Sequence, residues 1–283
     1  MFTDGPTTPT RLEALLGVVA SNPKGLNRKN LYELMQPESL RSNTEKTTNN
    51  VKAGLEIELL KEEKSSIIRL HESYNKKIST SENILNSLDK RVLKDPKVEL
   101  HLALFYSYYL GLDTQIYERS DWDGDRWSDQ FNIDVFGNTP QSNRFNKTKY
   151  TGIHRWLSFL GLGWYDSNGF FQPDPTERIL RSMNSIFGKE KKIPGDQFMI
   201  KLAEVCPELD GGEMFLQANK NYDANAKECT MGLSQALVGL HEEGFVRLTC
   251  PIDSRGWNLE KANPGRDDYI KSDRLELIEM TPK

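Results

Sequence analysis

The chain has 283 residues, 37% of them hydrophobic and 28% charged, with 37 basic against 41 acidic side chains and a net charge of −4. This length suits two domains or three small ones, and the net acidity argues against a protein that coats nucleic acid with its whole surface. No stretch approaches the roughly 20 apolar residues of a membrane span, the opening MFTDGPTTPT has neither the basic nor the apolar region of a signal peptide, and Cys206, Cys229 and Cys250 are too far apart for a metal pair or a CxxC motif, which suggests a reduced cytoplasm.

In chain order, residues 10–21 (TRLEALLGVVAS) place Leu12, Leu15, Leu16 and Val19 on one helical face. NPKG breaks that helix. LNRKNLYELMQP then reads as a second helix with Asn27 as its N-cap, Leu31, Leu34 and Met35 as its apolar stripe and Pro37 as its stop. Residues 41–61, RSNTEKTTNNVKAGLEIELLK, form a third, with Ser42, Asn43 or Thr44 as cap and Val51, Leu55, Leu59 and Leu60 as a buried stripe. EEKSS is a turn and SIIRLHES a short β-prone run. Helix, helix, helix, hairpin is the order of a winged helix-turn-helix, whose last helix enters the DNA major groove. SENILNSLDKRVL and PKVELHLALFYSYYLGL follow as two helices, the second largely buried, packing under a later hairpin; ERSDWDGDRWSDQFN reads as an acidic, aromatic loop.

The helix-then-hairpin pattern recurs twice. Ile153, Leu157 and Leu160 precede strands GWYD and FFQP around the turn SNG; QPDP then restarts a helix near residue 174. Leu233, Leu237 and Leu240 precede FVRLTC, a turn at DSRG and a closing strand RLELIEM. Three copies of one unit form a degenerate internal repeat. The expected fold is therefore mainly α with small β-hairpins (α+β), in tandem winged-helix modules: an N-terminal module over 1–77, a helical middle with a second winged-helix-like unit over 78–175, and a C-terminal one over 176–283.

Residues 10–80 hold twelve basic against nine acidic side chains, so the N-terminal module is mildly basic on an acidic body. Its third helix opens with Asn43, Thr44, Lys46, Thr47, Asn49 and Asn50, side chains suited to phosphates and base edges. Glu45, Glu56 and Glu58 stand against that; the alternative is a solvated polar helix in a winged-helix domain that binds protein instead. The candidate DNA contacts are Lys46, Asn49, Asn50 and Lys52, with Arg28, Lys29 and Arg41 on the backbone. Lys147, Lys149 and Arg155 are added from KTKYTGIHRW, where basic and aromatic residues interleave; Trp156 there reads better as core. Asp121, Asp123 and Asp125 have the spacing of calcium ligands, but Arg126 stands where that loop needs Gly and Asn132 where it needs Glu. No metal, cofactor or small-molecule substrate is expected. The four histidines are scattered, and no phosphate loop, GxSxG, HExxH or GxGxxG occurs, so the chain reads as a non-enzyme.

The stretches DGPTTPTRLEALLGVVASNPKGLNRKNLYELMQP and LEIELLKEEKSSIIRL resemble the winged-helix superfamily. Together with HRWLSFLGLGWYD, FQPDPTERIL and CPELDGGEMF, they also resemble the DpdG-type accessory proteins of bacterial islands that insert deazaguanine into DNA and restrict foreign DNA. That resemblance implies a non-catalytic component of an anti-phage or DNA-modification assembly, with double-stranded DNA and other subunits as partners, and transfers no catalytic residues. The alternatives are a winged-helix scaffold that binds a protein partner, an ATPase or a nuclease, without DNA, and a transcriptional regulator.

Overall fold

The computed structural model describes residues 2, 7–40, 43–137, 143–250, 256–259 and 274–281. Its elements run α1 (Pro9–Ala20), β1 (Leu26–Asn27), α2 (Arg28–Met35), α3 (Glu45–Glu56), β2 (Leu60–Glu62), β3 (Ile67–Leu70), α4 (Thr80–Arg91), α5 (Leu100–Gly111), α6 (Gln115–Glu118), α7 (Gly124–Phe131), α8 (Lys147–Leu157), β4 (Gly163–Tyr165), β5 (Phe171–Pro173), α9 (Thr176–Phe187), β6 (Lys192–Pro194), α10 (Gly195–Val205), α11 (Glu213–Ala218), α12 (Met231–Glu242), β7 (Val246–Thr249), β8 (Trp257–Asn258), β9 (Arg274–Leu275) and β10 (Leu277–Met280). This is a mainly helical protein with small antiparallel sheets. The chain packs as two compact units, one of residues 1–102 and 145–156, the other of 103–144 and 157–283.

In the first unit, Thr8 caps α1 by accepting from the Arg11 amide, with Pro9 preset for the first helical turn. The helix buries the predicted Leu12, Leu15, Leu16 and Val19. Asn27 caps α2, as its sequence position predicts, accepting from the Asn30 amide at 2.8 Å. The stripe of α2 departs from expectation: Leu31 is buried, but Leu34 is 58% exposed. The helix has only two turns, and its far end turns Leu34 toward solvent while Met35 stays half-buried.

Helix α3 ends earlier than its apolar stripe suggests. Glu58 takes a left-handed φ of 55°, which stops the helix and sends Leu59 and Leu60 into the core from the loop and from β2. A three-stranded sheet closes the unit in the order β1-β3-β2, with β3 antiparallel to both neighbours. A capping box between Ser79 and Glu82 starts α4, which packs on α1. Trp156 of α8 is fully buried, edge-on to Phe2 at 5.2 Å, and so belongs to the core as its sequence context suggests.

In the second unit, α5 is buried from Ala103 to Leu110, as its composition predicts. Tyr109 anchors it to the β4–β5 hairpin, donating its hydroxyl to the Phe171 carbonyl at 2.9 Å. The segment read as an acidic loop instead forms α7: Asp123 caps it by accepting from the Arg126 amide, and Trp127 and Phe131 are buried four residues apart. The remainder repeats the element order of the first unit. Helix α9, strand β6, helices α10 and α12, then strands β7 and β10 form a sheet of order β6-β10-β7, again with the last strand in the centre and antiparallel to both neighbours. The additional α11 and the pair β8–β9 are inserted into this plan. Of the turn expected at DSRG, residues 253–255 lie outside the described residues.

Candidate nucleic-acid interface

Helices α2 and α3 are fixed to each other by side chains of their polar faces. Gln36, at the end of α2, accepts through Oε1 from both the amide and the hydroxyl of Thr47, at 2.9 and 2.7 Å. One glutamine thereby satisfies an orphan amide in the first turn of α3, which has no side-chain cap at Thr44. The Tyr32 hydroxyl meets both Arg28 Nη1 at 3.1 Å and Thr48 Oγ1 at 3.2 Å. Arg28 also clamps strand β2, donating from Nε and Nη2 to the two carboxylate oxygens of Glu62 at 2.9 and 2.7 Å. This bidentate bond holds the guanidinium pKa well above its ordinary value and the Glu62 carboxyl below its own.

The candidate residues divide accordingly. Asn50 is 1% exposed and donates to the Lys46 carbonyl, and Thr47 is 3% exposed, so both sit on the packed face of α3. Lys149 is 4% exposed, away from the surface set. Arg28 serves as the brace to Glu62. Arg41 lies outside the described residues. Lys147 and Arg155 are exposed on α8. Lys46 and Lys52 are exposed and Asn49 half-exposed on α3, three residues apart in turn, which spreads them over about 120° of helix surface. Lys29 is exposed at the start of α2.

Ion pairing separates these cations further. Lys61 pairs with Glu72, Arg69 with Glu63 at 3.5 Å, and Arg91 with Glu58 at 2.6 Å. Among the described residues, Lys29, Lys46, Lys52 and Lys64 have no ion-pair partner. Lys64 was not among the sequence candidates. Its place at the tip of the β2–β3 turn, in EEKSS, is the signal that marks it. Gln36 was missed as well, because its role depends on where α2 ends.

The corresponding helix of the repeated plan, α12, has the opposite character. From Met231 to His241 no residue is exposed. Its start is held by Asp210, which accepts from the Thr230 amide and hydroxyl at 2.7 and 2.8 Å, and by Asp113, which accepts from the Met231 amide at 2.8 Å. Gly232 faces α5 so closely that a Cβ there would stand 2.6 Å from Leu110 Cδ1 and 3.0 Å from the Pro173 carbonyl oxygen.

The three cysteines are unbridged. No helix among the described residues is long and apolar enough to cross a membrane. Asp121, from the sequence resembling a calcium loop, lies 3.7 Å from Arg126, and Asp123 is the α7 cap. No curated protein and no solved structure matches the chain. The family model described as DpdG-like matches residues 2–254, and the chain belongs to the DpdG-like family.

Proposed function

We propose that the chain is a non-enzymatic DNA-binding adaptor of a bacterial DNA-modification and anti-phage assembly, working in the cytoplasm beside other subunits. In this reading the modules at 1–77, 78–175 and 176–283 are winged-helix units, and the first meets double-stranded DNA with α3 in the major groove. The supporting observation is the exposed, unpaired set Lys46, Lys52, Lys29 and Lys64, carried by α3, by the start of α2 and by the wing tip. These are the places from which helix-turn-helix proteins reach base edges and phosphates. Asn49, between the two α3 lysines, is the candidate for a base edge. Family membership supports the setting.

The test is binding to a labelled random duplex across a salt series, for the wild type and for Lys46→Ala/Lys52→Ala. Wild-type affinity should fall as salt rises. Removing two phosphate contacts should lower the slope of log K against log salt by about 2. No binding at low salt ends the DNA reading for this chain.

A second reading is favoured by one observation. Leu34, in the last turn of α2, and Leu40, on the α2–α3 connection, are 58% and 85% exposed, and a protein partner would bury them. A scaffold of that kind would bind its partner with unchanged affinity in the double lysine variant.

A further inference from the structure

The basic excess of the first unit does not end with its three-stranded sheet. Residues 1–102 and 145–156 together hold 19 basic against 14 acidic side chains, whereas the second unit holds 18 against 27. Residues 76–97 alone hold six basic against three acidic. Of those six, Lys76, Lys77, Lys90, Lys94 and Lys97 are exposed and have no ion-pair partner among the described residues. Arg91 differs, since it pairs with Glu58 just beyond α3.

A cleft of about 540 Å³ lies between α4, the β3–α4 loop and the C-terminal end of α3. Asn83, Asn86, Ser87 and Lys90, at the spacing of one helical face, line it from α4. The loop is pinned to that face. The Asn75 amide donates to Asn83 Oδ1 at 2.7 Å, and Asn83 Nδ2 donates to the Asn75 carbonyl at 2.9 Å. This holds Lys76 and Lys77 beside the start of α4, with Lys90 about 10 Å further along the helix. The Asn86 and Ser87 side chains make no hydrogen bond among the described residues. The one carboxylate in the lining, Glu58, is taken by Arg91. Free ammonium, amide and hydroxyl donors spaced along a helix suit the oxygens of successive phosphates, and the polar and aliphatic lining suits a backbone better than stacked bases.

The cleft also has a defined place relative to α3. Ile57 and Glu58 line it, whereas Lys46 stands near the other end of that helix, about 16 Å away. The major groove is about 12 Å wide. A helix laid across it brings Lys46 to one backbone and the α4 cleft toward the other.

We propose that the α4 cleft and its row of lysines form a second DNA contact, which grips the phosphate backbone of the duplex that α3 enters without reading its sequence. This rests on the DNA reading of α3 for the position of the duplex, and the test keeps the two apart.

Salt-series binding would be measured for the full chain, for Lys76→Gln/Lys77→Gln, for Lys90→Gln/Lys94→Gln and for Lys46→Ala/Lys52→Ala, on AT-rich and GC-rich duplexes. Each of the first two pairs should lower the slope of log K against log salt by about 2, to the same extent on both duplexes. Their urea midpoints should stay at the wild-type value, because the replaced groups are exposed. A lower slope in Lys46→Ala/Lys52→Ala alone overturns the α4 contact and leaves the α3 reading standing. Lower slopes in the α4 pairs alone support the α4 contact and overturn the α3 reading. Wild-type DNA binding by both α4 pairs, with weakened binding of poly-glutamate, assigns the lysine row to an acidic protein and overturns the proposal. No duplex binding by the wild type at low salt overturns both.

Discussion

Asp210 is 1% exposed, and burial pushes its carboxyl up to about 7 although Thr230 donates to it twice. The folded chain therefore holds a proton that the unfolded chain releases near the ordinary aspartate value. That contribution to stability is fully present below about 4 and is lost as pH rises through about 7. His154 works in the opposite sense. Burial lowers it to about 4, so its contribution is present above about 6.5 and is lost as pH falls through about 4. Asp210→Asn isolates the first effect, because an amide does not titrate while its oxygen still accepts from Thr230. Chemical denaturation at intervals from pH 4 to 8 should show the variant gaining on the wild type by a few kcal/mol as pH rises, since each tenfold difference in proton affinity between the folded and unfolded chain is worth about 1.4 kcal/mol. A constant difference across that range would show that Asp210 is ionised throughout.

At the scale of elements, α3 and α12 occupy the same place in the repeated plan but meet different surroundings. Helix α3 keeps a solvent face with two unpaired lysines, whereas α12 is enclosed and touches α5 through Gly232. Gly232→Ala should cost about 1–3 kcal/mol by overpacking, read as a lower urea midpoint with an unchanged slope. Unchanged stability would mean that α5 yields easily, and the account of α12 as a packing helix would fail.

The same contrast shows what the sequence made legible. Regular apolar spacing exposed α1, α5 and the leucine stripe of α12, and local chemistry exposed the Asn27 cap and the hairpins. Burial of polar groups was hidden. Thr47 and Asn50 look like DNA contacts because hydrogen-bonding side chains serve a helix interface and a base edge equally well; only the position of Gln36 decides for Thr47. The α3 boundary was hidden because Glu58 adopts a conformation that favours glycine. Helix α7 was hidden because its capping aspartate lies in a run of acids and tryptophans with a loop-like composition.

Across the whole molecule, charge follows this division between the repeats. Residues 10–80 carry a small basic excess, and the remainder supplies the acidity that makes the chain −4 overall. On a polyanion only the first part should count, and each of its exposed lysines should contribute separately to counterion release. Lys29→Ala/Lys64→Ala, which touches α2 and the β2–β3 turn but not α3, should flatten the salt dependence by about 2. The matched control is Lys189→Ala/Lys192→Ala, two exposed lysines between α9 and α10 in the repeated plan. It removes the same net charge and should leave the salt slope unaltered, because α12 offers no exposed residue from 231 to 241 for a groove to receive. Equal losses from both pairs would mean that DNA responds to total charge alone. The first repeat would then have no privileged interface, and the difference between α3 and α12 would be one of packing only.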